Sequence, residues 1–394
     1  MITRLQVANF KSFRELAIPM STRNILIGPN MAGKSNFLTV LRFLNLMVRP
    51  ASGVHGLNNA INTLAPGGAE ELLWRGGDSR LVSIAAAGDF REFEDRSEAD
   101  TWQYKLDLVL ERQGTARVQN ESLEVAINQR RAALIDRDHK TGNRILRNLA
   151  NDHAHTLEDV ERSALEFEIP GWEGNSLRNY FASIQFVNLV PSTMKQLNST
   201  AAVAALNENG GNLSSWLMTL QTRFRSSFDL IERATRDVLP DVKNILTWPT
   251  QQATVLVASE ERFLKSPVPV WQMSDGELCF IALLSLVLGP PELTARLYCI
   301  EEPENHLHPK LLQTLIGLLD QRQTEAGKAA SQIVATTHSL ELVDKCRLED
   351  LVLLEKRQGA SVCSRPSERR ELRQLLEREE LGLGELYYSG ALAR

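Results

Sequence analysis

Polar and apolar positions alternate from Ile2 to Asn9, which predicts a strand that turns at Phe10-Lys11-Ser12-Phe13. The short run Asn24-Ile25-Leu26-Ile27 predicts a second strand leading into Gly28-Pro29-Asn30-Met31-Ala32-Gly33-Lys34-Ser35. Phe37, Val40, Leu41, Leu44 and Val48 then recur at helical spacing, so a helix starting near Gly33 buries that stripe. Residues 49–77 are rich in Gly, Asn and Pro and show no clear period. Strands are expected within 81–110 and 116–127, and 136–165, with His139, His153 and His155, reads as a solvated polar insertion rather than a metal site. Residues 196–238 read as mostly helical with a break at Gly210-Gly211, and strands follow at 254–257 and 268–271.

The last third predicts helix 275–288, strand 296–300, helix 309–322, strand 332–336, helix 339–346 and strand 350–355. Such alternation builds a largely parallel sheet covered on both faces, an α/β class. Residues 367–380 read as a charged amphipathic helix with Leu372, Leu375 and Leu376 on one side. No internal repeat or sustained heptad is present.

Composition narrows the function classes. The chain has 394 residues, of which 43% are hydrophobic and 24% charged, as in ordinary soluble globular proteins. Lys+Arg 44 against Asp+Glu 49 leaves −5, which excludes nucleic-acid binding by bulk positive charge but not a local basic groove. It also argues against a polybasic membrane anchor. Cys279, Cys299, Cys346 and Cys363 are far apart with no CxxC, so reduced thiols in a cytoplasmic protein are expected. The opening Met1-Ile2-Thr3-Arg4 is no secretory signal. The longest apolar stretch, 280–288, stops at Gly289-Pro290-Pro291, short of the roughly 20 residues that cross a bilayer.

The segment Gly28 to Ser35 fits GxxxxGK[ST] in full. Its glycines let successive backbone N–H groups turn inward toward phosphate oxygens, and the helix N-terminus adds positive potential. Lys34 supplies charge to the β- and γ-phosphates, and Ser35 offers a hydroxyl to Mg2+. ATP and Mg2+ are the expected cofactors. A buried strand, Leu297-Tyr298-Cys299-Ile300, ends in Glu301-Glu302-Pro303-Glu304. Acids at the C-terminal end of such a strand lie where open α/β sheets place ligand chemistry. Glu301 is expected to hold magnesium and Glu302 to polarise the attacking water.

Ser274-Asp275-Gly276-Glu277 reads as a capping box opening an apolar helix. The same geometry suits a γ-phosphate, and the two readings are compatible. His338, after the strand 332–335, is either a satisfied structural residue or a γ-phosphate sensor. His306 and His308 precede Pro309, which marks a helix start rather than a metal site.

In order, these pieces resemble the ABC-type ATPase heads of the SMC, RecF and OLD-like group, P-loop NTPases found in prokaryotic DNA-maintenance and anti-phage defence systems. Ile2 to Phe13 resembles the group's N-terminal strand and turn, Gly28–Ser35 its Walker A, Ser274–Glu277 its signature, Ile300–Glu304 its Walker B and Thr337-His338-Ser339 its switch. The resemblance implies an ABC-type head with a mixed or parallel sheet and an inserted, mostly helical region. It divides the chain into lobe I at 1–190, a helical insertion at 191–245 and lobe II at 246–394. It further implies two heads sandwiching two ATP molecules. Gly28, Pro29, Asn30, Met31, Ala32, Gly33, Lys34, Ser35 and Asn36 then bind in cis, and Lys11 reaches the phosphates. Ser274 and Gly276 act in trans, Glu302 is the catalytic base and His338 meets the γ-phosphate. Asn305 and His306 fall in the segment crossing the dimer interface, and Gln185 is the Q-loop candidate beside the metal. Glu301 replaces the usual SMC aspartate, as in the OLD-like branch.

No DxD follows His338, so a Toprim nuclease is not expected within this chain. The expected function is an ATP-hydrolysing switch that forms a homodimer or higher oligomer and controls a separately encoded effector or DNA engagement. The alternative is a non-hydrolysing, ATP-dependent scaffold. A DNA-binding role stays open.

Overall fold

A computed structural model of the chain describes residues 1–51, 53–90, 100–111, 115–127, 130–138, 141–149, 154–327, 330–370, 372, 374 and 382–392. Its centre is a six-stranded sheet in the order Gln185–Val187, Leu297–Glu301, Gln332–Thr336, Arg23–Ile27, Leu351–Arg357 and Ala360–Ser364. The first five strands are parallel and the last is antiparallel. The parallel strands therefore deliver their C-terminal ends to one edge.

Each central strand feeds two cores by simple alternation. Leu26, Cys299, Val334 and Val352 face one side, while Ile25, Ile27, Tyr298, Ile333, Ala335 and Leu351 face the other. On the first side lies the helix Lys34–Met47, which buries Phe37, Val40, Leu41 and Leu44 as the stripe predicts. An eight-stranded antiparallel sheet closes that core, with Ile2–Phe10 and Phe13–Pro19 at one end. On the second side pack the helices Leu213–Arg223, Arg225–Val238, Asp275–Val287 and Pro309–Ala326. Against them sits a small antiparallel sheet of Asn198–Ser199, Thr254–Glu261, Val242–Pro249 and Val268–Pro269. Among the described residues no helix is long and apolar enough to cross a membrane.

Several expectations need correction. The supposed solvated insertion continues the antiparallel sheet through Arg130–Arg137, Arg144–Arg147 and Ala154–Leu157, and it buries Leu146, Ala164 and Leu165. Its inward positions include charged residues, which hid the pattern. Glu121, fully buried, pairs with Arg144 and accepts from Tyr104 Oη at 2.8 Å and Ser163 Oγ at 2.6 Å. His155 is exposed on the strand Ala154–Leu157, while His139 and His153 lie outside the described residues.

Within 49–77 a helix, Gly56–Leu64, buries Leu57, Ala60 and Ile61. Helices cover only 213–238 of the stretch expected to be helical, because Asn198 and Ser199 pair with Val255 and Thr254 instead. Of the tail leucines, Leu372 is buried, and Leu375 and Leu376 lie outside the described residues. Strand Ala360–Ser364 and helix Leu383–Tyr388 add to the elements that the sequence pattern predicts.

Candidate active site

The phosphate loop leaves the fully buried strand Arg23–Ile27 at the C-terminal edge of the sheet. Gly28 has φ 147° and Gly33 φ 107°, conformations that L side chains rarely adopt. Space is equally restrictive. A Cβ on Gly28 would lie 2.2 Å from the Leu354 carbonyl oxygen, and one on Gly33 2.4 Å from Ser361 Oγ. Met31, at φ 65°, takes the left-handed turn at the loop tip. Pro29, Asn30, Met31 and Ser35 are exposed, whereas Gly28, Ala32, Gly33 and Lys34 are buried.

Lys34 Nζ donates to Gly28 O at 2.7 Å and Pro29 O at 3.1 Å. Burial draws its pKa down, and the nearby Glu302 and Glu304 carboxylates oppose that. Asn36 Nδ2 donates to Ser12 Oγ at 2.8 Å, which ties the loop to the first hairpin turn. The structure places Lys11 elsewhere than at the loop. Its ammonium donates to Leu64 O at 2.9 Å, with Glu71 and Arg75 as charged neighbours.

The acids arrive two strands away. Glu301 is in register with Thr336, and Glu302 leaves the strand at φ 43° with its N–H on Thr336 O at 3.0 Å. Asn305 Nδ2 donates to Glu302 Oε2 at 2.9 Å, and His338 Nε2 lies 3.7 Å from Glu302 Oε1. Thr337 N–H donates to Leu26 O at 3.1 Å, linking this segment to the strand that carries the phosphate loop. Glu304, unassigned by the sequence reading, gathers the switch segment. Its Oε1 accepts from Thr337 Oγ1 at 2.7 Å, His338 N at 2.9 Å and Ser339 N at 3.3 Å.

Burial raises the Glu301 pKa, with Arg42 opposing and Glu208 and Glu302 adding to the rise. Arg42, on the helix after the phosphate loop, grips both carboxylate oxygens of Glu208 and stacks 4.1 Å from the Phe186 ring centroid. This clasp spans 166 positions and had no local signal in the sequence.

Gln185 does not reach the acids. It is in register with Tyr298, three residues before Glu301, or about 10 Å back along the strand. Its Nε2 donates to Leu206 O at 2.8 Å. At the strand's end Asn188 lines a cleft with Glu301, Glu302 and Asn305, and its N–H donates to Glu208 O at 2.8 Å. Asn188, three residues further along the chain, is thus the residue of this segment that shares a cleft with the acids.

Ser274 caps the helix Asp275–Val287, its Oγ accepting from Glu277 N at 3.1 Å. The Glu277 carboxyl turns inward, where burial raises its pKa and the nearby Glu261 carboxylate adds to the rise. Asp275 pairs with Lys195 at 2.6 Å. A Cβ on Gly276 would lie 2.6 Å from His306 O, so the capped helix start and the 305–306 segment form one surface. His308 caps the helix Pro309–Ala326 through Nδ1, as the Pro309 signal predicts.

The hydroxyl of Ser35 and the carboxylate of Glu301 are hard oxygen donors, the chemistry that suits Mg2+. A phosphate loop at mid-sheet, paired acids two strands over, a histidine just past the end of the strand between and a serine-capped helix together define an ABC-type ATPase head with the P-loop NTPase fold. A family model described as "AAA domain, putative AbiEii toxin, Type IV TA system" matches residues 23–344, and the chain belongs to that family.

Two solved structures share the fold at low identity. One is an SmcHead bound to the C-winged helix domain of ScpA, with TM-score 0.56, 14% identity, and coverage of 92% of this chain and 96% of that one. The other is an Smc head domain with an extended coiled coil, bound to the C-terminal domain of ScpA derived from Pyrococcus furiosus. Its TM-score is 0.54 at 12% identity, covering 96% of this chain and 99% of that one. No curated protein matches.

Proposed function

We propose that the protein is an ATP-hydrolysing switch whose nucleotide-bound form is a closed pair of heads. The observation that carries this reading is the Glu302 carboxylate, held by Asn305 at 2.9 Å and 3.7 Å from His338, on the same sheet edge as the Lys34 loop. Phosphoryl transfer to water needs positioning and charge stabilisation more than covalent chemistry. Lys34 and the loop amides hold the β- and γ-phosphates. Glu302 accepts a hydrogen bond from the attacking water, and His338 contacts the γ-phosphate. Ser35 and Glu301 would hold Mg2+, which would neutralise charge on the phosphate oxygens, and Asn188 lines a cleft with Glu301.

Ser274 and Gly276 close on the nucleotide of a second copy, beside Asn305 and His306. Because those γ-phosphate contacts exist only in the closed pair, hydrolysis removes what distinguishes it energetically from the open state. A separately encoded effector reads the change, in anti-phage defence or DNA maintenance.

The test is phosphate release with Mg2+ and ATP, alongside mass measurement by light scattering. Turnover in wild type and a nucleotide-bound dimer trapped by Glu302→Gln are expected. A dimer with ATP but no phosphate release would replace the motor with a scaffold. Absence of both turnover and trapping would end the proposal.

A further inference from the structure

The helix Leu383–Tyr388 makes two contacts, one with the phosphate loop and one with the far end of the helix Leu340–Asp344. The Gly28 N–H, at the first residue of the phosphate loop, donates to Tyr387 Oη at 3.0 Å across 359 positions. Gly28 is buried and wedged against the Leu354 carbonyl, so its amide has little freedom to find another acceptor. At the helix start, Gly384 N–H donates to Asp344 Oδ1 at 2.6 Å. A Cβ on Gly384 would lie 2.7 Å from Asp344 Oδ2, so the carboxylate sits close against the glycine.

Asp344 ends the helix Leu340–Asp344, whose N-cap is Ser339, the residue after His338. Leu383, Leu386 and Leu392 are buried in the second core and anchor the segment, with Tyr387 packed against that core. One short element therefore holds the start of the phosphate loop and the far end of the helix that begins beside the switch histidine.

We propose that Tyr387 is a positioning residue for the phosphate loop, and that helix Leu383–Tyr388 is a strap coupling loop order to the switch helix. The inference rests on the reading that this loop binds ATP. The phenol oxygen gives the Gly28 amide its acceptor and favours the loop conformation that receives phosphate. Without it the competent conformation is a smaller fraction of the population, and apparent affinity falls by that fraction. Coupling is reciprocal, so a nucleotide that orders the loop also steadies the strap.

The experiment compares wild type with Tyr387→Phe, which keeps the ring and removes the acceptor, and with Tyr388→Phe, whose phenol is 82% exposed. Calorimetric titration with a nonhydrolysable ATP analogue should show Kd raised about five- to tenfold in Tyr387→Phe and unchanged in Tyr388→Phe. KM should rise with kcat unaltered, and the nucleotide-free Tm should stay within about 1 °C, a split that a merely structural role would not give. Hydrogen exchange at 383–392 should slow when the analogue binds wild type. If Tyr387→Phe melts early, this wild-type measurement decides: unchanged exchange overturns the inference. Unaltered affinity in a stable Tyr387→Phe also overturns it, while leaving the ATP-switch reading intact. Failure of wild type to bind the analogue overturns that reading instead.

Discussion

Glu304 holds the backbone of His338: its Oε1 accepts the histidine N–H at 2.9 Å, together with Thr337 Oγ1 at 2.7 Å and Ser339 N–H at 3.3 Å. The acid that closes the turn after strand Leu297–Glu301 therefore sets where the His338 imidazole stands, 3.7 Å from Glu302. Glu304→Ala deletes all three bonds at once. We expect turnover to fall at least tenfold while analogue affinity stays within about twofold, at a stability cost of roughly 1–3 kcal/mol. Steady-state phosphate release beside a urea melt checks this. Undiminished kcat would show that His338 needs no such support.

The two loop glycines should differ in their tolerance of a methyl group. At Gly28 the obstacle is the Leu354 backbone carbonyl at 2.2 Å, part of a neighbouring strand. At Gly33 it is the Ser361 hydroxyl at 2.4 Å, a group that can rotate away. Gly28→Ala should cost about 3 kcal/mol or more and Gly33→Ala about 1–2 kcal/mol, while both lose nucleotide binding. Denaturant midpoints rank them, and an equal or reversed order contradicts the steric account.

Arg42 opposes the burial that raises the Glu301 pKa. Arg42→Ala therefore moves that pKa further up, and the ionised carboxylate that suits Mg2+ is lost at a higher pH as the solution is acidified. The acidic limb of the kcat/KM profile should shift to higher pH, so the variant's deficit is larger at pH 6 than at pH 8. A deficit independent of pH would mean that the Arg42–Glu208 clasp acts only by packing.

Glu277 offers a stability test away from the acids. Its folded pKa is raised above the ordinary 4.5, chiefly by burial. The folded chain thus keeps a proton over a window where the unfolded chain has released it. Stability falls as pH rises from 4.5 through the raised value, and the deficit is complete above that. Glu277→Gln removes the ionisation, so Tm should rise by roughly 1–2 °C at pH 7.5, with the gain shrinking toward pH 4. A gain constant across pH would place its cause outside this carboxyl.

The parts legible in the sequence are those whose chemistry needs adjacent residues. The phosphate loop is continuous, its helix repeats Phe37, Val40, Leu41 and Leu44, and Ser274 with Glu277 signals a cap within four positions. What escaped reading depends on register or on distant partners. Gln185 opens a short strand and Asn188 follows its end, and only the pairing of 185–187 with 298–300 shows which of them lies nearer the acids. Arg144 looks like a surface residue until Glu121 on a different strand explains its burial. The family resemblance implies Lys11 at the phosphates, but the first turn delivers Ser12 to the loop and gives the lysine to Leu64. The bond between Tyr387 and Gly28 joins opposite ends of the chain and leaves no local trace.

The strand that carries the phosphate loop takes both its sheet neighbours from the last third of the chain: Asn24 Nδ2 bonds Ile333 O, 309 positions away, and Leu26 is in register with Val352. During synthesis, Ile25, Leu26 and Ile27 therefore emerge with neither flank available, and the pocket beside them cannot assemble until the strand Leu351–Arg357 has been made. A ribosome stalled before residue 330 would carry a greasy, unpaired ribbon, so newborn chains should lean on chaperones until both flanking strands have emerged.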